Sequence, residues 1–185
     1  MDMKAYIREG IDAREKIDAE EISAIAKSLA DSIRHGGKLI AFGNGGSAAD
    51  AQHFVAELSG HFLIERRPLP AIALTTNTSA ITAIGNDYSY EEIFSRQVSG
   101  IVTEKDFVVG ISTSGNSLNV IRAIDVANER HAYTLALTGK DGGKLKNSAK
   151  KTIRVASSFT PIIQEVHIAI IHMVCMALDE FLGYQ

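Results

Sequence analysis

Residues 108–117, "VVGISTSGNS", decide how the rest of the chain is read. With Phe107 the opening valines make a continuous apolar run, and a strand that does not alternate is one buried on both faces, as in a parallel sheet covered by helices. The run ends in a turn carrying hydroxyls at Ser112, Thr113, Ser114 and Ser117, with Gly115 to let the backbone bend tightly. A helix-forming segment, "SLNVIRAIDVANE", follows at once. Its unpaired N–H groups and positive dipole end, added to the hydroxyls, make a phosphate site that needs no lysine. The plainer reading is an N-cap turn closed by Asn116 or Ser117, but one cap uses one hydroxyl and this loop has several. A nucleophile elbow is excluded, because Gly-x-Ser-x-Gly is absent.

The same alternation recurs on both sides. Upstream, Ile22, Ile25, Ala26, Leu29, Ala30 and Ile33 fall at the three-four spacing of an amphipathic helix stopped by Gly36-Gly37, and the chain through residue 36 reads as an N-terminal helical segment. Strand "KLIAFG", helix "SAADAQHFVAELSG", strand "AIALT" and two short helical segments across Ser79 to Val102 come next. Downstream lie strand "YTLALTG", a short helix after Gly142-Gly143, strand "KTIRVA" and a long helix from about Pro161 to Phe181. Short apolar runs alternating with helices predict a doubly wound, flavodoxin-like α/β domain: a five-stranded parallel sheet with helices on both faces. In the order 2-1-3-4-5, ligands bind beyond the carboxyl ends of the strands, near the switch point between the first and third. Those strands end in "FGNGGS" and "GISTSGNS". No repeat, low-complexity tract or linker interrupts residues 1–185, which read as a single domain.

Composition narrows the function. At 45% hydrophobic and 22% charged residues the chain has ordinary globular make-up, and a net charge of -3 leaves no footprint for nucleic acid or an anionic membrane. A lone Cys175 rules out an intramolecular disulfide and the cysteine-rich zinc motifs, which predicts a reducing, cytoplasmic setting. The start, "MDMKAYIREGID", lacks the apolar core of a signal peptide. The longest apolar stretch, "VHIAIIHMVCMAL", reads as too short for a bilayer span and carries two histidines.

In the first loop Gly43, Gly45 and Ala48 formally fit the dinucleotide fingerprint, yet "AIALTTNT" has no acid to hold a ribose, and no Gly-Lys-Ser/Thr makes a Walker A loop. The glycines with Asn44 and Ser47 suit close approach to a sugar or its phosphate. His53 and Glu57, four residues apart, share a face of the following helix, either as an exposed hydrogen-bonded pair or as working groups pointing back to the strand ends. In the last helix Gln164, His167 and His172 interrupt an apolar surface, where burial costs a polar group that finds no partner. Gln164 and His172 stand about 12 Å apart along a straight helix, so they converge only on a ligand between them or if Gln164 precedes the regular helix. Ile162, Ile163, Val166, Ile168, Ile170, Ile171, Met173, Val174 and Met176 surround that helix, which predicts burial partly by another subunit, with Ile171 as the position to test it.

"GNGGSAADAQHFVAEL", "AIGNDYSYEEIFSRQV", "GISTSGNS", "ALTGKDGG" and "TPIIQEVHIAIIH" resemble, in order and over nearly the whole chain, the phosphoheptose isomerases of the SIS-domain superfamily. The resemblance implies a homotetramer that interconverts sedoheptulose 7-phosphate and D-glycero-D-manno-heptose 7-phosphate through an enediol, at the entry to bacterial heptose synthesis. It places sugar-phosphate contacts on Asn44, Gly45, Gly46, Glu57, Asn86, Asp87, Ser112, Thr113, Ser114, Ser117 and Gln164. It makes Glu57 and His172 the catalytic pair, and puts one zinc per subunit on His53, Glu57, Gln164 and His172. His61 and Ile162 stand where many relatives carry arginine, and Arg66 and Arg67 are the cations left to substitute. The rival readings are a non-catalytic SIS module, whose replication-initiator-associating members lack the glutamate and last histidine, and a nicotinamide-dependent oxidoreductase, which the missing ribose acid opposes.

Overall fold

The computed structural model describes residues 2–184; Met1 and Gln185 of the 1–185 span lie outside the described residues. The sheet is all parallel and five-stranded, in the order β2-β1-β3-β4-β5, as the alternation predicts. Its strands are β1 (Leu39–Gly43), β2 (Ala71–Ala73), β3 (Phe107–Ser112), β4 (Tyr133–Thr138) and β5 (Lys151–Arg154). β1 and β3 are buried along their whole length, because helices cover both faces. Leu39 and Ala41 enter one core with Phe107, Val109 and Ile111, whereas Ile40 and Phe42 enter the other with Val108.

β2 is shorter than "AIALT" suggests. It is an edge strand, Ile72 is exposed, and the chain leaves pairing after Ala73 with a last bond from the Leu74 N–H to the Ala41 carbonyl at 3.0 Å. The N-terminal segment is two helices, α1 (Met3–Glu15) and α2 (Ala19–Arg34), divided where the Asp18 carboxylate accepts from the Glu20 and Glu21 N–H groups and caps the second.

One face of the sheet carries α2, α3 (Gly46–Ser59) and α8 (Thr160–Leu182), with α1 lying outside against α8. The other carries α4 (Thr78–Asp87), α5 (Ser95–Ile101), α6 (Leu118–Glu129) and the short α7 (Leu145–Ser148). At 23 residues α8 is long and apolar enough to cross a membrane, longer than its sequence suggests, but it is a core helix packed against α1, α2, α3 and β4. Its apolar residues are therefore mostly covered by their own chain. Ile171 is 1% exposed within one molecule, so an acidic residue there would break the core rather than report on a partner. Ile162 is likewise core, packed towards Gly10 of α1, and does not mark a cation lost from the strand ends.

His167 docks α8 on the sheet. Its buried ring lies with Nε2 3.1 Å from the Thr138 carbonyl, an acceptor only, so Nε2 carries the proton and Nδ1 is left without a partner. Burial lowers its pKa from 6.5 to about 4, against the smaller opposing pull of that carbonyl. The unfolded chain takes up the proton first, so this histidine's contribution is complete above about pH 6.5 and is lost as pH falls towards 4. Urea unfolding of His167→Gln, whose amide can still donate to Thr138, should lack on the order of 3 kcal/mol of the pH 7-to-4 loss shown by the wild type. An equal loss in both proteins would take His167 out of the acid response.

Candidate active site

β1 stops at Gly43, and Asn44 and Gly45 turn the chain into α3 with Gly45 at φ +56. Gly46 is needed for packing. A Cβ there would fall 2.9 Å from the Gln164 carboxamide carbon and closer still to its nitrogen, so α8 lies against the first turn of α3 only because the position is bare. Gln164 sits inside the regular helix, not before it.

From that contact the two helices run side by side. Seven residues along α3 stands His53, and eight along α8 stands His172; their Nε2 atoms are 3.1 Å apart. His53 Nε2 is also 2.8 Å from Glu57 Oε1. The donor atoms of His53, Glu57 and His172 all lie within 4.8 Å of one another, and Phe62 stacks on the His172 ring at 5.4 Å. Two imidazoles and a carboxylate converging so closely are a zinc-type donor set that leaves further positions open. Gln164 lies eight residues before His172 on the same helix, with its carboxamide against Gly46.

The second loop follows β3. Ser117 is the N-cap of α6 but makes no side-chain bond to it; its hydroxyl lies 3.0 Å from that of Ser112 instead. The simple cap reading therefore fails, and the first-turn N–H groups keep no side-chain acceptor. Gly115, at φ +66, is pressed on the loop after β4: a Cβ would lie 2.9 Å from the Gly143 nitrogen and closer to the Gly142 carbonyl oxygen. The Gly139 N–H to the Thr113 carbonyl, at 3.1 Å, and the Leu145 N–H to the Gly115 carbonyl, at 2.9 Å, complete the buttress.

Asn44 and Asn119 join the two loops. Their amides exchange bonds at 2.9 Å each way, and the Tyr90 hydroxyl adds a third at 2.9 Å to Asn44 Oδ1. The Asn44 side chain is thus engaged, leaving mainly backbone at 44–46 to face a ligand. Asn119 and Tyr90 were absent from the sequence-based set; a polar residue just past the cap of an apolar helix was the available signal. Asn86 and Asp87 are exposed at the end of α4, where the Asn86 amide donates to Asp87 at 2.8 Å, and neither contacts the group on α3 and α8.

Arg66 does not substitute for an anion-binding arginine. Its guanidinium is buried in an ion pair with Asp179, Nε to Oδ1 2.6 Å. Arg67 donates to the Tyr184 hydroxyl at 3.1 Å, and His61 lies 3.9 Å from Glu65 on the surface. Asp50, one turn before His53, is a titratable group that sequence reasoning passed over: burial raises its pKa from 3.8 to about 6, moderated by His53.

A parallel sheet in this order, with a hydroxyl-lined loop at its switch point and polar groups on flanking helices, makes a doubly wound α/β domain with its candidate site at the strand ends, and the SIS domain family matches residues 4–139. A probable phosphoheptose isomerase of Thermoplasma acidophilum is 58% identical, over 97% of this chain and 99% of its own. The solved phosphoheptose isomerase of Neisseria gonorrhoeae is 45% identical with a TM-score of 0.87, and that of Francisella tularensis 38% identical with a TM-score of 0.92, each over 96% of both chains. The chain belongs to the phosphoheptose isomerase family.

Gly115→Ala tests the buttressed loop. It should cost about 1–3 kcal/mol in urea unfolding and weaken binding of inorganic phosphate at least about tenfold, a loss of about 1.4 kcal/mol. Unchanged phosphate affinity in calorimetry would remove the loop from anion binding.

Proposed function

We propose that this protein is an aldose-ketose isomerase interconverting D-sedoheptulose 7-phosphate and D-glycero-D-manno-heptose 7-phosphate, a reading supported by relatives named phosphoheptose isomerases. One observation carries the reading: Glu57 and His172, from different helices, meet beside His53 below a loop suited to phosphate. A non-catalytic SIS module has no use for that convergence.

The conversion moves a proton from C1 to C2 through an enediol, while a second proton shifts between O1 and O2. Glu57 suits the carbon-bound proton, because a carboxylate takes and returns it on one face of the enediol. His172 suits the oxygens, since an imidazole can both donate and accept a proton through its ring nitrogens. Ser112, Thr113, Ser114 and Ser117, with the N-terminus of α6, hold the phosphate as a remote handle, which fixes the reacting carbons against Glu57. The backbone at Asn44, Gly45 and Gly46 and the Gln164 amide line the path between, and Asn86 and Asp87 belong to the substrate set by family resemblance. His53, Glu57, Gln164 and His172 would hold the zinc. Bound there, the metal supplies Lewis-acid polarisation of the carbonyl.

The wider proposal is a single SIS domain that works as a homotetramer in the cytoplasm. Packing of α1 and α2 on α8 supports one unit. Exposed Met3, Ile7 and Ile11 line one side of α1, as a surface buried by another subunit would. The buried, unpaired Cys175 suits a reducing compartment.

Turnover of sedoheptulose 7-phosphate, followed by NMR of the aldose, checks the proposal. Glu57→Gln should remain folded and lose activity by about 100-fold or more, and removal of metal with a chelator should lower wild-type turnover reversibly. No aldose from the metal-replete wild type would refute the isomerase. Ser112→Ala with Ser114→Ala should instead raise KM with kcat little changed, since these hydroxyls bind a part of the substrate that does not react. A double variant with normal KM would refute the handle.

A further inference from the structure

α3 carries Glu57 in its closing turns and has no basic residue in its last turn, so its C-terminal carbonyls lack the usual cation. The missing charge arrives from the following loop. Arg66 Nη2 donates to the carbonyl of Glu57 itself at 2.8 Å, and Nη1 donates to those of Leu58 at 3.0 Å, Gly60 at 3.3 Å and Arg67 at 3.3 Å. The remaining donor, Nε, reaches Asp179 Oδ1 at 2.6 Å, and the pair is shut away at 0% and 3% side-chain exposure. Asp179 lies on α8 two turns beyond His172, close to its end. A single guanidinium therefore ties the end of α3, through the backbone of Glu57, to the end of α8.

We propose that Arg66 and Asp179 form a positioning clamp for the reaction, fixing how far the Glu57 carboxylate stands from the His172 imidazole. This rests on the isomerase reading for its kinetic consequence, though not for its geometry. Gly46 and Gln164 fix the two helices at one end of their contact, and the clamp fixes the other, with His53, Glu57 and His172 between. Glu57 and Asp179 both raise the pKa of the buried Cys175 thiol, after the larger effect of burial, which places the clamp and the carboxylate around one side chain. A buried ion pair is seldom the most stable filling for a core, and one of matched apolar residues is often as stable. What such residues cannot do is hold the Glu57 carbonyl.

That difference supplies the test. In Arg66→Met with Asp179→Leu the charges leave together, so no buried ion is stranded and circular dichroism should show a folded protein. With sedoheptulose 7-phosphate, kcat should fall at least tenfold while KM, set largely at the distant phosphate loop, changes less than threefold. Cobalt(II) affinity, titrated by visible absorption, should also fall at least tenfold, because the groups on α3 and α8 no longer hold a common geometry. A folded double variant that keeps kcat within twofold and cobalt affinity unchanged would overturn the clamp. If the wild type proves inactive on this substrate, the isomerase reading fails by itself, and cobalt affinity decides the clamp alone. If the double variant does not fold, Arg66→Lys, which keeps the charge but not the fork, decides on the same two readouts.

Discussion

The close approach of α3 and α8 at Gly46 is the constraint on which the site depends. Both helices leave the carboxyl ends of parallel strands and descend the same face of the sheet, so their directions agree by topology. Their separation is set by the side chains between them, and at the first turn of α3 there is none. Gln164 occupies the space a Cβ would take. Contact at that end carries down the pair because the spacings match: Gly46 to His53 and Gln164 to His172 differ by one residue, and the imidazoles arrive with ring centres 5.2 Å apart. A larger residue at 46 would separate groups two turns away without touching them.

Above this pair the loops perform a different task. Gly115 against Gly142 and Gly143, and Asn44 against Asn119, lock three strand ends into one rim. Rigidity would matter there for the proposed phosphate handle, because hydroxyls and N–H groups that already point inward lower the cost of binding. In the proposed reaction the rim would give orientation and the helices below would give proton transfer. A seven-carbon substrate with its phosphate at one terminus and its carbonyl at the other would suit that separation, since binding energy at the rim would then serve alignment at Glu57 and His172, the pair proposed to react with it.

The fold was open to sequence reasoning because Phe107 to Ile111 and Leu39 to Phe42 do not alternate, and only a sheet covered on both faces buries such runs. The shared face of His53 and Glu57 followed from helical spacing alone. Their meeting with His172 did not follow from spacing, since it depends on a contact 119 residues away in sequence. Family resemblance gave the group its composition. Arg66 was misread because a cation beside a candidate site suggests an anion ligand, and nothing local reveals that Asp179 and the carbonyls ending α3 already claim it. Ile171 was misread for a similar reason: an apolar helix on several sides looks the same to the sequence whether its own chain or another subunit covers it.

Among the described residues, most buried side-chain atoms without a hydrogen-bond partner lie on the same two helices. They are Asp50 Oδ2 on α3 and His167 Nδ1 and Asp179 Oδ2 on α8; a fourth, Thr152 Oγ1, lies on β5. Each forfeits solvation that a polar group normally recovers through pairing. Elsewhere the cores are ordinary aliphatic packing, with Leu29, Leu58 and Val109 fully enclosed. Three of the four falling on the helices that carry His53, Glu57 and His172 is the pattern of a site whose side chains answer to chemistry before stability. The sheet and its apolar layers tolerate that cost because the three unpaired groups on α3 and α8 sit on helices anchored at both ends. A loop carrying the same residues would relax, and the convergence of Glu57 with His172 would be lost with it.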